Sequence, residues 1–222
     1  MQFKCGGEPI EIDLSHLVVA GWTGRDADAI QHHIEELAAI GVTPPSRIPL
    51  YYRVSAPLLT TAKQIQVVGD ASSGEVEPLV LQTGTARYLG LGSDHTDRAL
   101  EAHSVALSKQ ACAKPCAPDL WQWDDVASHL EEIQLQSWIF ENGDWSAYQN
   151  GTVAAIRPLD ELMSGARLKA LAADGAAAMM CGTFGAKGGV RAASGFRMRM
   201  TDPVLGRSIE HEYTAVQLAN IA

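Results

Sequence analysis

The chain has 222 residues, 46% hydrophobic and 19% charged, which is the make-up of an ordinary folded protein rather than a disordered one. A net charge of −9 and a pI near 5.2 exclude a binder of nucleic-acid backbones, which would show a basic face, and agree with a cation site built from carboxylates. No apolar run approaches the roughly 18 residues that cross a bilayer, and residues 17–20 and 176–181 are core-sized. The start, Met1-Gln2-Phe3-Lys4-Cys5-Gly6-Gly7, lacks the charged-then-apolar layout of a secretory leader, so a cytoplasmic location is expected. Cys5, Cys112, Cys116 and Cys181 are too few and too scattered to frame a fold by disulfides.

In chain order, residues 2–5 and 10–14 read as short strands around the turn Gly6-Gly7-Glu8-Pro9. Ile30, Ile34 and Leu37 recur at helical spacing ahead of Gly41, which predicts a helix over 26–40. The run Thr43-Pro44-Pro45-Ser46-Arg47-Ile48-Pro49 divides a small N-terminal portion, 1–45, from the main domain, 46–222. Strand patterns follow at 64–68, 74–82 and 86–91. Asp94 or Thr96 is then placed to cap a helix reaching Val105, with a proline-containing loop at 112–118. Residues 134–141 and 144–149 flank Asn142-Gly143, the strongest short hairpin signal a sequence carries. A weaker helix at 160–171 and strands at 179–184, 196–201 and 207–218 complete the pattern. The class is α+β, with a mixed, largely antiparallel sheet system.

Three pieces carry chemistry. Glu75 and Glu77 stand two apart on a predicted strand, so they share a face that continues into Leu79 and Leu81. Two like charges this close are tolerated best with a cation between them. Asp94, Arg98 and Glu101 follow at spacings of four and three, which would place them on one helix face. Lys109 stands just before the proline-containing loop. Among the seven histidines, His95 adjoins Asp94 and is the first candidate for a general base; His32, His33 and His103 come after it.

The order of these pieces resembles the fumarylacetoacetate hydrolase superfamily over about residues 64–218, and is closest to a prokaryotic branch without an assigned function. The resemblance implies a β-roll or β-sandwich fold and a homodimer. It makes Glu75, Glu77 and Asp94 the metal ligands and Arg98 the active-site arginine. Lys109 becomes the lysine that stabilises developing negative charge, and Glu101, Gln149 and Thr183 contact substrate. Two departures stand out. The His…Glu pair that the hydrolases carry on a lid helix upstream of Glu-x-Glu is absent between Tyr51 and Thr61, and the Glu77–Asp94 spacing is short.

A three-carboxylate oxygen site favours Mg²⁺, Mn²⁺ or Ca²⁺ over Zn²⁺. The expected function is therefore a divalent-metal-dependent lyase or hydrolase acting on a small 2-oxo acid or 1,3-dicarbonyl compound through a metal-stabilised enolate. With the lid pair missing from that window, proton-transfer chemistry with His95 as base is preferred to hydrolysis. The alternative is a catalytically inactive ligand-binding or assembly protein on the same fold.

Overall fold

The computed structural model describes residues 1–219 and 221, apart from 29, 32, 33 and 36–43. Its first strands are β1 (Gln2–Cys5), β2 (Glu8–Glu11), β3 (Leu14–Gly21), β4 (Leu50–Val54), β5 (Leu59–Thr60) and β6 (Gln64–Val68). There follow β7 (Ser72–Ser73), β8 (Val76–Gln82), β9 (Arg87–Ser93), β10 (Thr96–Asp97), α1 (Arg98–Glu101), α2 (Val105–Ala111) and β11 (Lys114–Gln122). The chain continues through α3 (Trp123–Val126), β12 (Gln134–Glu141), β13 (Asp144–Thr152), α4 (Leu159–Gly165) and α5 (Leu168–Leu171). It ends with β14 (Ala176–Met180), β15 (Gly195–Asp202) and β16 (Arg207–Leu218). Among the described residues no helix is long and apolar enough to cross a membrane.

The strands form a larger mixed sheet, ordered β2-β1-β11-β9-β8-β14-β3-β4 with β5 beside β11, and a five-stranded sheet, β13-β12-β15-β16-β6. Parallel pairs are confined to β1–β11, β5–β11, β3–β14 and β6–β16. This is the mixed, largely antiparallel α+β architecture the sequence predicts. Residues 2–21, assigned to the N-terminal portion, supply β1 to β3, which hydrogen-bond into the same sheet as β8 and β9. Within the predicted helix, residues 27, 28, 30, 31, 34 and 35 are helical with Ile30 and Ile34 buried, and 36–40 lie outside the described residues.

Strand β8 is buried on both faces, and this sets the environment of the site. Val76 and Val80 join the core between the two sheets, with Leu135, Ile139, Met198 and Tyr213 opposite. Leu79 and Leu81 face a second apolar cluster with Leu17, Val19 and Leu120. Glu77 shares the parity of Leu79 and Leu81, so its carboxylate lies in a wall that is otherwise dry. The Asn142-Gly143 turn closes β12 onto β13 with both residues at positive φ, as a two-residue hairpin turn requires.

The β15–β16 turn is tied by Asp202, whose carboxylate is fully buried. It accepts from His129 Nε2 (3.0 Å), the backbone N–H groups of Val204 and Leu205 (3.1 Å each) and Arg207 Nε (3.2 Å). Burial alone would raise its pKa, but the Leu205 N–H and His129 outweigh it and hold the carboxyl below its ordinary value. The unfolded chain then takes up a proton first as pH falls, so this stabilisation is complete above the unfolded pKa, about 3.9, and disappears as pH drops through the lower folded value. Asp202→Asn should cost about 1–3 kcal/mol in urea unfolding at pH 7, with the gap from the wild type narrowing below about pH 4.

Candidate metal centre

The β8–β9 register builds the site. Val76 pairs with Ser93 and Glu77 with Gly92, so the residue before β8 and the residue after β9 meet at one end of the ladder. They are Glu75 and Asp94, joined by an Asp94 N–H to Glu75 carbonyl bond of 3.1 Å. Ligand oxygens of Glu75, Glu77 and Asp94 all lie within 4.8 Å of one another. Glu77 and Asp94 are 2% and 1% exposed, whereas the Glu75 side chain is 18% exposed, so the cluster opens toward solvent on the Glu75 side.

Three cations face these acids. Arg98 Nη2 is 3.2 Å from Glu75, and its other nitrogens hold Glu101 (2.8 Å) and Ser73 Oγ (2.7 Å). Lys109 Nζ donates to Asp94 Oδ2. Lys114 Nζ lies 3.1 Å from Asp94 Oδ1 and donates to the His95 carbonyl at 2.5 Å. Burial would raise the Asp94 pKa, but Lys109 and Lys114 together drive it far below the carboxylate range. Glu77 shifts the other way: burial, then the Asp94 charge, push its pKa well up. Among the described residues its one protein donor is the Gly182 N–H at 2.7 Å. Gly182 adopts φ +95°, and a Cβ there would fall 1.7 Å from Thr23 Oγ1, so only glycine presents its N–H from that position.

The donor set fits a hard divalent cation. It is all oxygen and it converges, with Asp94 Oδ1 held only by the Lys114 ion pair at 3.1 Å. Glu75, Glu77 and Asp94 would hold the ion, and Mg²⁺, Mn²⁺ or Ca²⁺ suits such a set.

The other sequence candidates fall into place unevenly. Gln149 is 2% exposed and fully engaged: its oxygen accepts from the Val76 N–H (2.9 Å) and Ser137 Oγ (3.0 Å), and its nitrogen donates to Thr183 Oγ1 (2.8 Å) and the Phe184 carbonyl (2.9 Å). Thr183 Oγ1 in turn donates to the Val76 carbonyl at 2.6 Å. The two side chains brace the strand between Glu75 and Glu77. Glu101 reaches the cluster through its pair with Arg98.

His95 is enclosed. It has no exposed surface, Nδ1 lies 3.0 Å from Tyr213 Oη, Nε2 lies 2.9 Å from Ser72 Oγ, and the ring packs edge-on against Phe196. Burial, then Lys114 and Arg98, lower its pKa to about 3. Both ring nitrogens are spoken for within the core, so the geometry gives no support to His95 as a base. His32 and His33 lie outside the described residues, and His103 sits in the exposed turn between α1 and α2.

Three local expectations are corrected. Asp94 and Thr96 cap no helix: the chain stays extended through β10, and Asp97 caps α1 by accepting from the Leu100 N–H at 3.0 Å. Lys109 sits on α2, a separate helix capped by Ser104. The proline-containing loop at 112–118 contains the first half of β11, where Lys114 pairs with Leu59 and Pro115 with Thr60. Lys114, overlooked in the sequence, is the most deeply buried cation of the site.

Residues 20–213 match the family model described as protein of unknown function (DUF2848). No curated protein matches the chain. Among solved structures it is similar to 2-keto-3-deoxyarabinonate dehydratase, with a TM-score of 0.66, 15% identity, and 94% of this chain and 76% of that one covered. It is similar to a protein from Yersinia pestis CO92 assigned to the fumarylacetoacetate hydrolase family, with a TM-score of 0.64, 14% identity, and 96% and 100% covered. A third likeness is to 2-keto-3-deoxy-D-arabinonate dehydratase complexed with magnesium and 2,5-dioxopentanoate, at a TM-score of 0.61, 13% identity, and 94% and 75% covered. The chain therefore belongs to the DUF2848 family and has the fold of the fumarylacetoacetate hydrolase superfamily.

Proposed function

We propose that the protein is a divalent-metal-dependent lyase or hydrolase acting on a small 2-oxo acid or 1,3-dicarbonyl compound. The observation that carries this reading is the convergence of oxygens of Glu75, Glu77 and Asp94 on one point, with two of the three residues buried. Glu77, buried and facing the charge of Asp94, has no cationic hydrogen-bond partner among the described residues, and a divalent ion would supply one. When bound, a divalent cation supplies Lewis acidity toward the adjacent carboxylate and ketone oxygens of such a substrate. Arg98 orients Glu75 through the 3.2 Å ion pair. Lys109, less deeply buried than Lys114, is the group suited to offset negative charge that develops on substrate.

The general base is sought near the end of β3. Trp22 follows β3, with its Nε1 3.4 Å from Tyr52 Oη, and the Tyr52 ring lies 5.8 Å from Lys109 Nζ. The chain therefore leaves β3 at the rim of the site. His33 and Glu36, three apart in the sequence, lie in the segment that follows and outside the described residues. By sequence alone, His33 is proposed as the base with Glu36 as its partner. With Mg²⁺ and a simple 2-oxo acid in D₂O, His33→Gln should slow exchange of the α-carbon proton by about 10²–10⁴-fold. His95→Gln should lower stability while the folded fraction still exchanges. Loss of exchange in a fully stable His95→Gln protein would restore His95 as the base.

The homodimer remains part of this reading. The β12–β13 hairpin and its neighbour carry a face of Trp138, Phe140 and Trp145, with Arg197 4.4 Å over Trp145 and Arg199 5.7 Å over Trp138. Phe140 is 38% exposed. Aromatic and arginine surface of this kind is enriched at interfaces. Light scattering at micromolar concentration should give about twice the 23.8 kDa chain mass, and a monomer would contradict it.

A further inference from the structure

We infer that Lys109 is an exchangeable counter-ion of the carboxylate cluster, displaced from Asp94 when a divalent cation binds and thereby delivered to the substrate side. This rests on the metal site proposed above. Asp94 has an ammonium on each oxygen: Lys109 on Oδ2 and Lys114 on Oδ1. The two lysines are not equivalent. Lys114 has no exposed surface, extends from a paired strand, and is also anchored to the His95 carbonyl. Lys109 projects inward from α2, a two-turn surface helix on which Ala106, Leu107, Gln110 and Ala111 are exposed.

That helix is itself pinned. Gln110 Oε1 accepts from the Ser55 N–H, and Gln110 Nε2 donates to Ser55 Oγ, both at 2.9 Å. Exchange therefore needs only a rotamer change in Lys109. Its ammonium already lies 5.8 Å from the Tyr52 ring, so a cation–π contact is available once Asp94 lets go. A divalent cation arriving among Glu75, Glu77 and Asp94, beside the three cations already there, favours release of the one that has somewhere to go.

The test is lysine dimethylation with ¹³C-formaldehyde and a borohydride, read residue by residue by peptide mass spectrometry, with and without saturating Mg²⁺. Binding is followed in parallel by calorimetry. Labelling of Lys109 should rise at least about fivefold with Mg²⁺, while Lys114 stays unlabelled in both samples. Lys109→Met should bind Mn²⁺ about tenfold tighter than the wild type. Through-space charge alone could produce that tightening, but it would not expose Lys109 to the reagent. Bound ion with unchanged Lys109 labelling overturns the exchange and leaves the metal site standing. No ion bound by the wild type or by Lys109→Met overturns both.

Discussion

Glu77→Gln should abolish divalent-ion binding and still give a folded protein, one that melts a few degrees higher than the wild type when both are kept in chelator. Glu77 is 2% exposed, has among the described residues a single protein donor in the Gly182 N–H, and faces the charge of Asp94. Burial and that like charge already penalise its ionised form, so a neutral isostere relieves an unfavourable term in the ion-free protein. The same replacement removes one of three ligands. Partners that merely orient a ligand typically hold 10–100-fold of metal affinity, so losing the ligand itself should cost more than about 100-fold. A relief of about 1 kcal/mol corresponds to roughly 2–4 °C in a chain of this size. Calorimetric titration with Mn²⁺ and a thermal scan in chelator measure the two effects. A variant that binds Mn²⁺ as the wild type does, or that melts lower in chelator, contradicts the role given to Glu77.

Lys114→Met should be the most destabilising single change at the site, costing about 3–5 kcal/mol. The lysine is wholly buried, forms an ion pair with Asp94 Oδ1 at 3.1 Å and donates to the His95 carbonyl, and both residues are themselves buried. Removing it leaves a buried carboxylate oxygen and a buried carbonyl without a partner. The counterpart Lys109→Met should cost clearly less, because Lys114 still neutralises Asp94 and Lys109 is less deeply buried. Urea unfolding of the two variants at pH 7 makes the comparison, and equal losses would show that the two ammonium groups do the same job.

Glu75 and Glu77 were legible in the sequence because strand parity is rigid and residues two apart share a face; Asp94 joined them only through the family resemblance, and in the fold the short β8–β9 hairpin returns it to the starting end. The helix-face reading of Asp94, Arg98 and Glu101 found the right residues through the wrong geometry. Asp94 lies in the turn after β9, and only Arg98 and Glu101 share a helix. Lys114 escaped notice because Pro115 and Pro118 read as loop residues. Pro118 is tolerated because the β11–β9 ladder breaks register between Cys116 and Leu120. His95 shows the limit most clearly. Its residue type and its place beside a ligand suggest a base, but Ser72 and Tyr213, which satisfy its ring, lie 23 and 118 residues away and come together only in the folded chain.

The most direct test of the central claim is a crystal grown with Mn²⁺ and measured near the manganese absorption edge. An anomalous peak bounded by oxygens of Glu75, Glu77 and Asp94, at the roughly 2.0–2.6 Å typical of hard divalent cations, is the predicted result. Full Mn²⁺ occupancy elsewhere in the molecule with no peak among these three carboxylates would contradict it.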